Sequence, residues 1–198
     1  MAGDAGFVWD LDFDAAWFVP LPGVDGSQIG PDAAAAWTDA ALARLPDAAT
    51  SDPQRAALLR ATAGALLSQA EEGVTRLWFA PERMYSDLLV TITVSRASGP
   101  GSAANEEVFD GDRFSAGFDV VPLQTETHGS GFLLRRSTQL EGEQPLFITQ
   151  WTVRLNDGTW SILVDTLGTT LPAFVLFEEQ LMRLIPGIRL PRTAAVEQ

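Results

Sequence analysis

The chain contains no cysteine and no lysine. Without cysteine there is no disulfide, no thiolate nucleophile and no thiolate metal site, and without lysine there is no Schiff-base amine or phosphate-loop lysine. His128 is the single histidine, so any imidazole chemistry must use it, and all 13 basic residues are arginine. No uncharged apolar run reaches transmembrane length. The stretch Met1 to Phe13 has neither the basic region nor the continuous apolar region of a secretory signal. The expected location is cytoplasmic, with no membrane partner.

Positive charge is scarce as well: 26 acidic residues against 13 basic ones give a net charge of -13. Binding a phosphate backbone needs clustered basic side chains, so nucleic acid is not an expected partner. A basic protein surface suits this charge better, although acidity also serves plain solubility. With 46% hydrophobic and 20% charged residues, the apolar material suffices to offset the entropy of ordering. A length of 198 residues suits one domain.

Residues Phe7 to Phe13 alternate, with Phe7, Trp9, Leu11 and Phe13 on one side and Val8, Asp10 and Asp12 on the other, as a half-buried strand requires. Leu21 to Gly30 reads as a loop, and Pro31 suits the first turn of an Ala-rich helix whose inward stripe is Trp37, Ala41 and Leu45. Ser51 with Gln54 three residues on, and Pro53 between, predicts a capping box for a second helix that buries Leu59, Ala63, Leu66 and Ala70. Strands are expected over Val74–Ala80, Leu88–Ser95, Ala116–Val121 and Phe132–Leu140.

Asp157-Gly158 predicts a two-residue type I′ turn pairing Asn156 with Thr159, Leu155 with Trp160 and Trp151 with Val164. The closing helix follows Pro172, with Phe174, Phe177, Leu181 and Leu184 inward, and Pro186-Gly187 stops it. The expected architecture is α+β: one domain over 1–198, mainly an antiparallel sheet flanked by helices, with a mobile loop near 97–107 and a loose tail over 188–198.

Candidate binding residues are few. Asp10, Asp12 and Asp14 form a D-x-D-x-D run, but a calcium loop needs Gly and Glu where Ala15 and Leu21 stand. The run also lacks the residues that follow the second Asp in haloacid-dehalogenase-type phosphatases. Strand alternation explains these acids more simply. His128 has no G-x-S-x-G nucleophile elbow anywhere to serve, and in its Gly-rich setting reads as a solvated loop residue. Gly129-Ser130-Gly131 does not open a helix and reads as a flexible joint. Arg135 and Arg136 project to opposite faces of a strand, where either an anion or a local Glu is a partner, the ion pair being the simpler reading. The six tryptophans read as core. No catalytic residue, metal site or cofactor is assigned.

The order Trp17-Phe18-Val19-Pro20, an Ala-rich helix, a long middle section, Trp151-Thr152-Val153, a turn, Trp160-Ser161-Ile162-Leu163-Val164 and a closing helix resembles the PsbP/Mog1-like family. That resemblance implies an α/β/α sandwich and a non-catalytic binding or assembly role. The functional expectation is a non-enzymatic protein-interaction module, whether adaptor, assembly factor or immunity-like inhibitor, acting through an acidic surface on another protein. A small-ligand carrier and an enzyme built on His128 or the early aspartates are the alternatives.

Overall fold

Period-two alternation gives each strand two faces, and in this protein both faces of one end of the sheet are buried. The computed structural model describes residues 8–22, 29–45, 52–69, 74–82, 84–97, 118–140 and 146–191. The elements run β1 (Asp10–Leu11), β2 (Phe18–Pro20), α1 (Pro31–Ala43), α2 (Pro53–Leu67), β3 (Thr75–Phe79), β4 (Leu88–Arg96), β5 (Phe118–Thr125) and β6 (Gly129–Leu140). They continue with β7 (Leu146–Asn156), β8 (Trp160–Gly168), α3 (Leu171–Leu184), a 3-10 turn (Ile185–Gly187) and β9 (Ile188–Arg189). Seven strands form an antiparallel sheet in the order β2-β3-β4-β8-β7-β6-β5, and β1 pairs with β9 apart from it. The protein is an α+β domain with helices on the sheet's flanks, as expected. Among the described residues no helix is long and apolar enough to cross a membrane.

On one face the apolar stripe of α3 packs over the sheet. Phe174, Phe177, Leu181 and Leu184 join Phe18, Phe79, Val90, Val153 and Val164 in a single cluster, against which Trp9, Leu11 and Phe13 also pack. Edge-to-face and tilted ring pairs run through it, among them Phe79–Phe177 at 5.2 Å and Trp151–Phe174 at 5.2 Å. On the other face α1 and α2 cover the β2–β4 end, burying Ala41, Leu42, Leu59, Ala63 and Leu66 against Val19, Trp78 and Leu89. Consecutive residues therefore feed opposite cores: Phe18 and Val19, Phe79 and Trp78, Leu88 and Leu89.

The structure corrects several details. Of the expected first strand only Asp10–Leu11 is strand; the Asp12 amide adds one more bond in the same register, to the Gly187 carbonyl at 2.9 Å, before residues 15–17 form a turn. Phe7 lies outside the described residues. The second helix is capped by Asp52, whose carboxylate accepts from the Gln54 amide at 2.9 Å, one residue after the expected cap. Ser51 and Ala70 lie outside the described residues, as does all of the expected mobile loop near 97–107 beyond Ala97. The tail expected to be loose begins with β9, where Ile188 is buried and pairs with Leu11; residues 192–198 are outside the description.

The β7–β8 register is also shifted. Leu155 pairs with Ile162 and Trp151 with Thr166, so each partner lies two residues further along than expected. The turn centres on Gly158 and Thr159: Gly158 has φ 90°, and no residue other than glycine has positive φ among those described. A type I′ turn on Asp157-Gly158 needs positive φ at both positions. Asp157 instead accepts from the amides of Thr159 and Trp160 at 2.8 and 2.7 Å, stabilising the shifted turn. A two-residue shift preserves parity, so Val153, Leu155, Ile162 and Val164 still face the core.

Gly129, Ser130 and Gly131 are part of β6 and not a flexible joint. A Cβ on Gly131 would lie 1.7 Å from the Arg154 carbonyl oxygen, so glycine is there to let β7 approach.

Candidate functional site

The short β1–β9 pair lays residues 12–14 alongside the second half of α3, and an open cleft of about 330 Å³ lies between them. Asp12 and Asp14 stand at its edge, Phe13, Phe18 and Leu184 supply apolar wall, and Gln180 projects from the helix. Gly187 sets the spacing: a Cβ there would fall 2.0 Å from the Asp12 carbonyl oxygen. The backbone of β1 and the turn after α3 thus meet at a distance only glycine allows.

Two aspartates from the acidic run therefore share one site, with different duties. Asp12 is ion-paired with Arg189 at 2.8 Å. Asp14 accepts from the Ala16 amide at 2.9 Å, and its main-chain carbonyl accepts from the amides of Trp17 and Phe18. One carboxylate oxygen of Asp14 has no partner among the hydrogen bonds and ion pairs of the described residues. Asp10 is exposed on β1, accepts the Leu11 amide, and is not in the cleft. Arg183, also at the cleft, is held by Glu179 one turn earlier on α3.

The cleft residue that sequence reasoning missed is Gln180. It is only 3% exposed, and no hydrogen bond from a described residue reaches its amide. Its signal was present: Gln180 lies three residues after Phe177 and four before Leu184, on the helix's inward stripe. A polar residue in that position calls for a hydrogen-bond partner.

His128 is not a solvated loop residue. It is 4% exposed, and its Nε2 lies 3.0 Å from the Ile185 carbonyl, which can only accept, so Nε2 carries the proton. Nδ1 is buried with no hydrogen-bond partner. The ring borders a second cleft of about 370 Å³ with Asp157, Trp160 and Arg189, on the other side of the 3-10 turn from Asp12 and Asp14. The structure does not bring His128 together with the early aspartates in either cleft. Among the described residues, no three His, Cys, Asp or Glu side chains converge to hold a metal ion.

Arg135 and Arg136 do point to opposite faces. Arg135 lies over the Trp151 ring at 4.7 Å and pairs with Glu178 of α3 and, at 3.7 Å, with Asp119. Arg136 donates to Gln150 Oε1 at 2.7 Å on the other face. Gln150 and Thr152 in turn donate to Asp165, each at 2.6 Å, which gives that face a polar relay.

A further carboxylate was missed in the sequence. Asp87 precedes β4 and accepts from the amides of Thr169 and Thr170 and from the Thr169 hydroxyl, at the start of α3. Burial pushes its carboxyl up, but the bonds from Thr169 and Thr170 outweigh burial and hold it below its ordinary value. Asp87 does for α3 what a capping side chain ordinarily does, since Thr170 itself makes no side-chain cap.

Comparison of the chain with protein-family models, with curated proteins and with solved structures finds no match.

Proposed function

We propose that this protein is a non-catalytic protein-interaction module of the cytoplasm, an adaptor, assembly factor or immunity-like inhibitor, whose acidic cleft meets a basic partner protein. The observation that carries this reading is the convergence of Asp12 and Asp14 on one cleft beside Gln180, a polar residue on the inward stripe of α3 that no described residue bonds, on a chain of net charge -13. Charge complementarity of this kind steers association and fixes register at an interface. The resemblance to PsbP/Mog1-like proteins inclines the same way, towards binding and assembly.

The two alternatives have less behind them. The space between the sheet and α3 is filled by Phe174, Phe177, Leu181 and Leu184, so no ligand is held there among the described residues. An acid–base enzyme would need a base that reaches substrate, and His128 commits Nε2 to a main-chain carbonyl while its Nδ1 is buried.

Affinity capture with the tagged chain at low and raised salt, alongside an Asp12→Asn/Asp14→Asn double variant, tests the proposal. A stoichiometric basic partner, weakened both by salt and by the double substitution, is the expected result. Overturning it takes either a partner indifferent to both changes or, with no partner captured, a copurifying small molecule detected by native mass spectrometry.

A further inference from the structure

Building on that interaction reading, we infer that the cleft beside Gln180 seats one arginine side chain of the partner. An apolar side chain would ordinarily fill this position of the inward stripe. Gln180 nonetheless occupies it at 3% exposure and lines the cleft, so its hydrogen-bonding capacity is available to an incoming group and to none of the described protein groups.

The chemistry of the cleft selects that group. Asp14 supplies a carboxylate on which the protein spends one amide bond, and Gln180 supplies an amide oxygen, so both present acceptors to a donor-rich cation. Phe13 and Phe18 offer apolar wall for an aliphatic stem and ring surface for a planar cation. A guanidinium carries five donors in a flat fork, matching a carboxylate and an amide oxygen together better than an ammonium does. Anions are disfavoured, because the nearby cations Arg183 and Arg189 are already paired with Glu179 and Asp12, which leaves the Asp14 carboxylate as the uncompensated charge at the cleft. At about 330 Å³ the cleft is at the small end for a ligand site (about 300–1,000 Å³), which suits a single long side chain.

The test is a titration of the full chain with N-acetyl-argininamide, followed by amide NMR, with the lysine and citrulline analogues as controls. The arginine probe is expected to shift the Gln180 side-chain amide and the backbone amides of residues 12–16 and 184–187. Citrulline, which keeps the shape and loses the charge, should leave them in place, and lysine should bind more weakly. Gln180→Leu and Asp14→Asn should each weaken arginine binding about tenfold, as loss of one charge-assisted or buried bond does. Absence of shifts with arginine, equal shifts with citrulline, or undiminished binding in Asp14→Asn overturns the assignment. If arginine fails while the captured partner still depends on Asp12 and Asp14, this assignment falls and the interaction reading stands. If arginine binds in the cleft but no basic partner is captured and a small molecule copurifies instead, the interaction reading falls and the partner's side chain falls with it as occupant, while the cleft's selectivity for a guanidinium stands.

Discussion

His128 and Ile185 lie 57 residues apart in the chain, yet the imidazole Nε2 donates to the Ile185 carbonyl across 3.0 Å in a buried contact. Ile185 opens the 3-10 turn that ends in Gly187, and Gly187 accepts the Asp12 amide. The histidine thus fixes, through one main-chain carbonyl, the turn against which the acidic segment is laid. His128→Leu should leave that carbonyl with the Ile188 amide as its remaining donor and cost about 0.5–1.5 kcal/mol, the worth of one hydrogen bond. Urea unfolding measures the loss, and hydrogen exchange should quicken at the Asp12 amide. Wild-type stability together with wild-type exchange would show that the contact contributes nothing.

Phe177 joins the ring pairs of α3 to those of the sheet: it lies 5.2 Å from Phe79, 6.2 Å from Trp151 and 6.4 Å from both Phe18 and Phe174. Truncation removes buried area and opens a cavity. Phe177→Ala should therefore cost about 3–5 kcal/mol, and Phe177→Leu, which refills part of the space, clearly less. Chemical denaturation of the two variants measures the difference. Equal losses would mean that this core collapses around the cavity.

Where local pattern decides the outcome, the sequence was readable: the helices from their stripes, β4 and β8 from alternation, and β3 from its strand-forming composition. Asp12 and Asp14 stood out for their spacing, and the structure gives them a common cleft. The rest depends on contacts remote in sequence. His128 sits among polar neighbours in the sequence, while the ring is buried in contact with Ile185, 57 residues further on. β5 continues through Pro122 to Thr125, beyond its expected end at Val121. A proline normally argues against a strand, but β5 is an edge strand and needs no donor on its open side. Asp87 looks like an ordinary surface residue until α3 is placed on the sheet, whereas Gln180 betrays itself by its place on the inward stripe.

Gly187 separates the cleft's geometry from its charge. Gly187→Ala places a methyl 2.0 Å from the Asp12 carbonyl oxygen, a contact relieved only if β1 moves away from β9. A loss of about 1–3 kcal/mol is expected, as for other forced overpacking. The readout specific to this contact is hydrogen exchange at the Asp12 amide, which donates to Gly187. Unchanged protection there would mean that the backbone accommodates the methyl without parting the strands.

Asp87 connects the segment before β4 to the start of α3 through an ionised carboxylate. Burial opposes its charge, while bonds from Thr169 and Thr170 favour it and prevail, so the folded value lies below 3.8. A carboxyl depressed on folding contributes in full above its unfolded value, and the contribution fades as pH falls through the folded one. Asp87→Ala, which removes a helix-capping acceptor, should cost about 1–2 kcal/mol near neutral pH. The gap between wild type and variant should be steady from about pH 7 to about pH 5 and close below about pH 4. Urea midpoints across that range measure it. A gap that persists undiminished at about pH 2.5 would show that the side chain holds α3 by its shape and not by its charge.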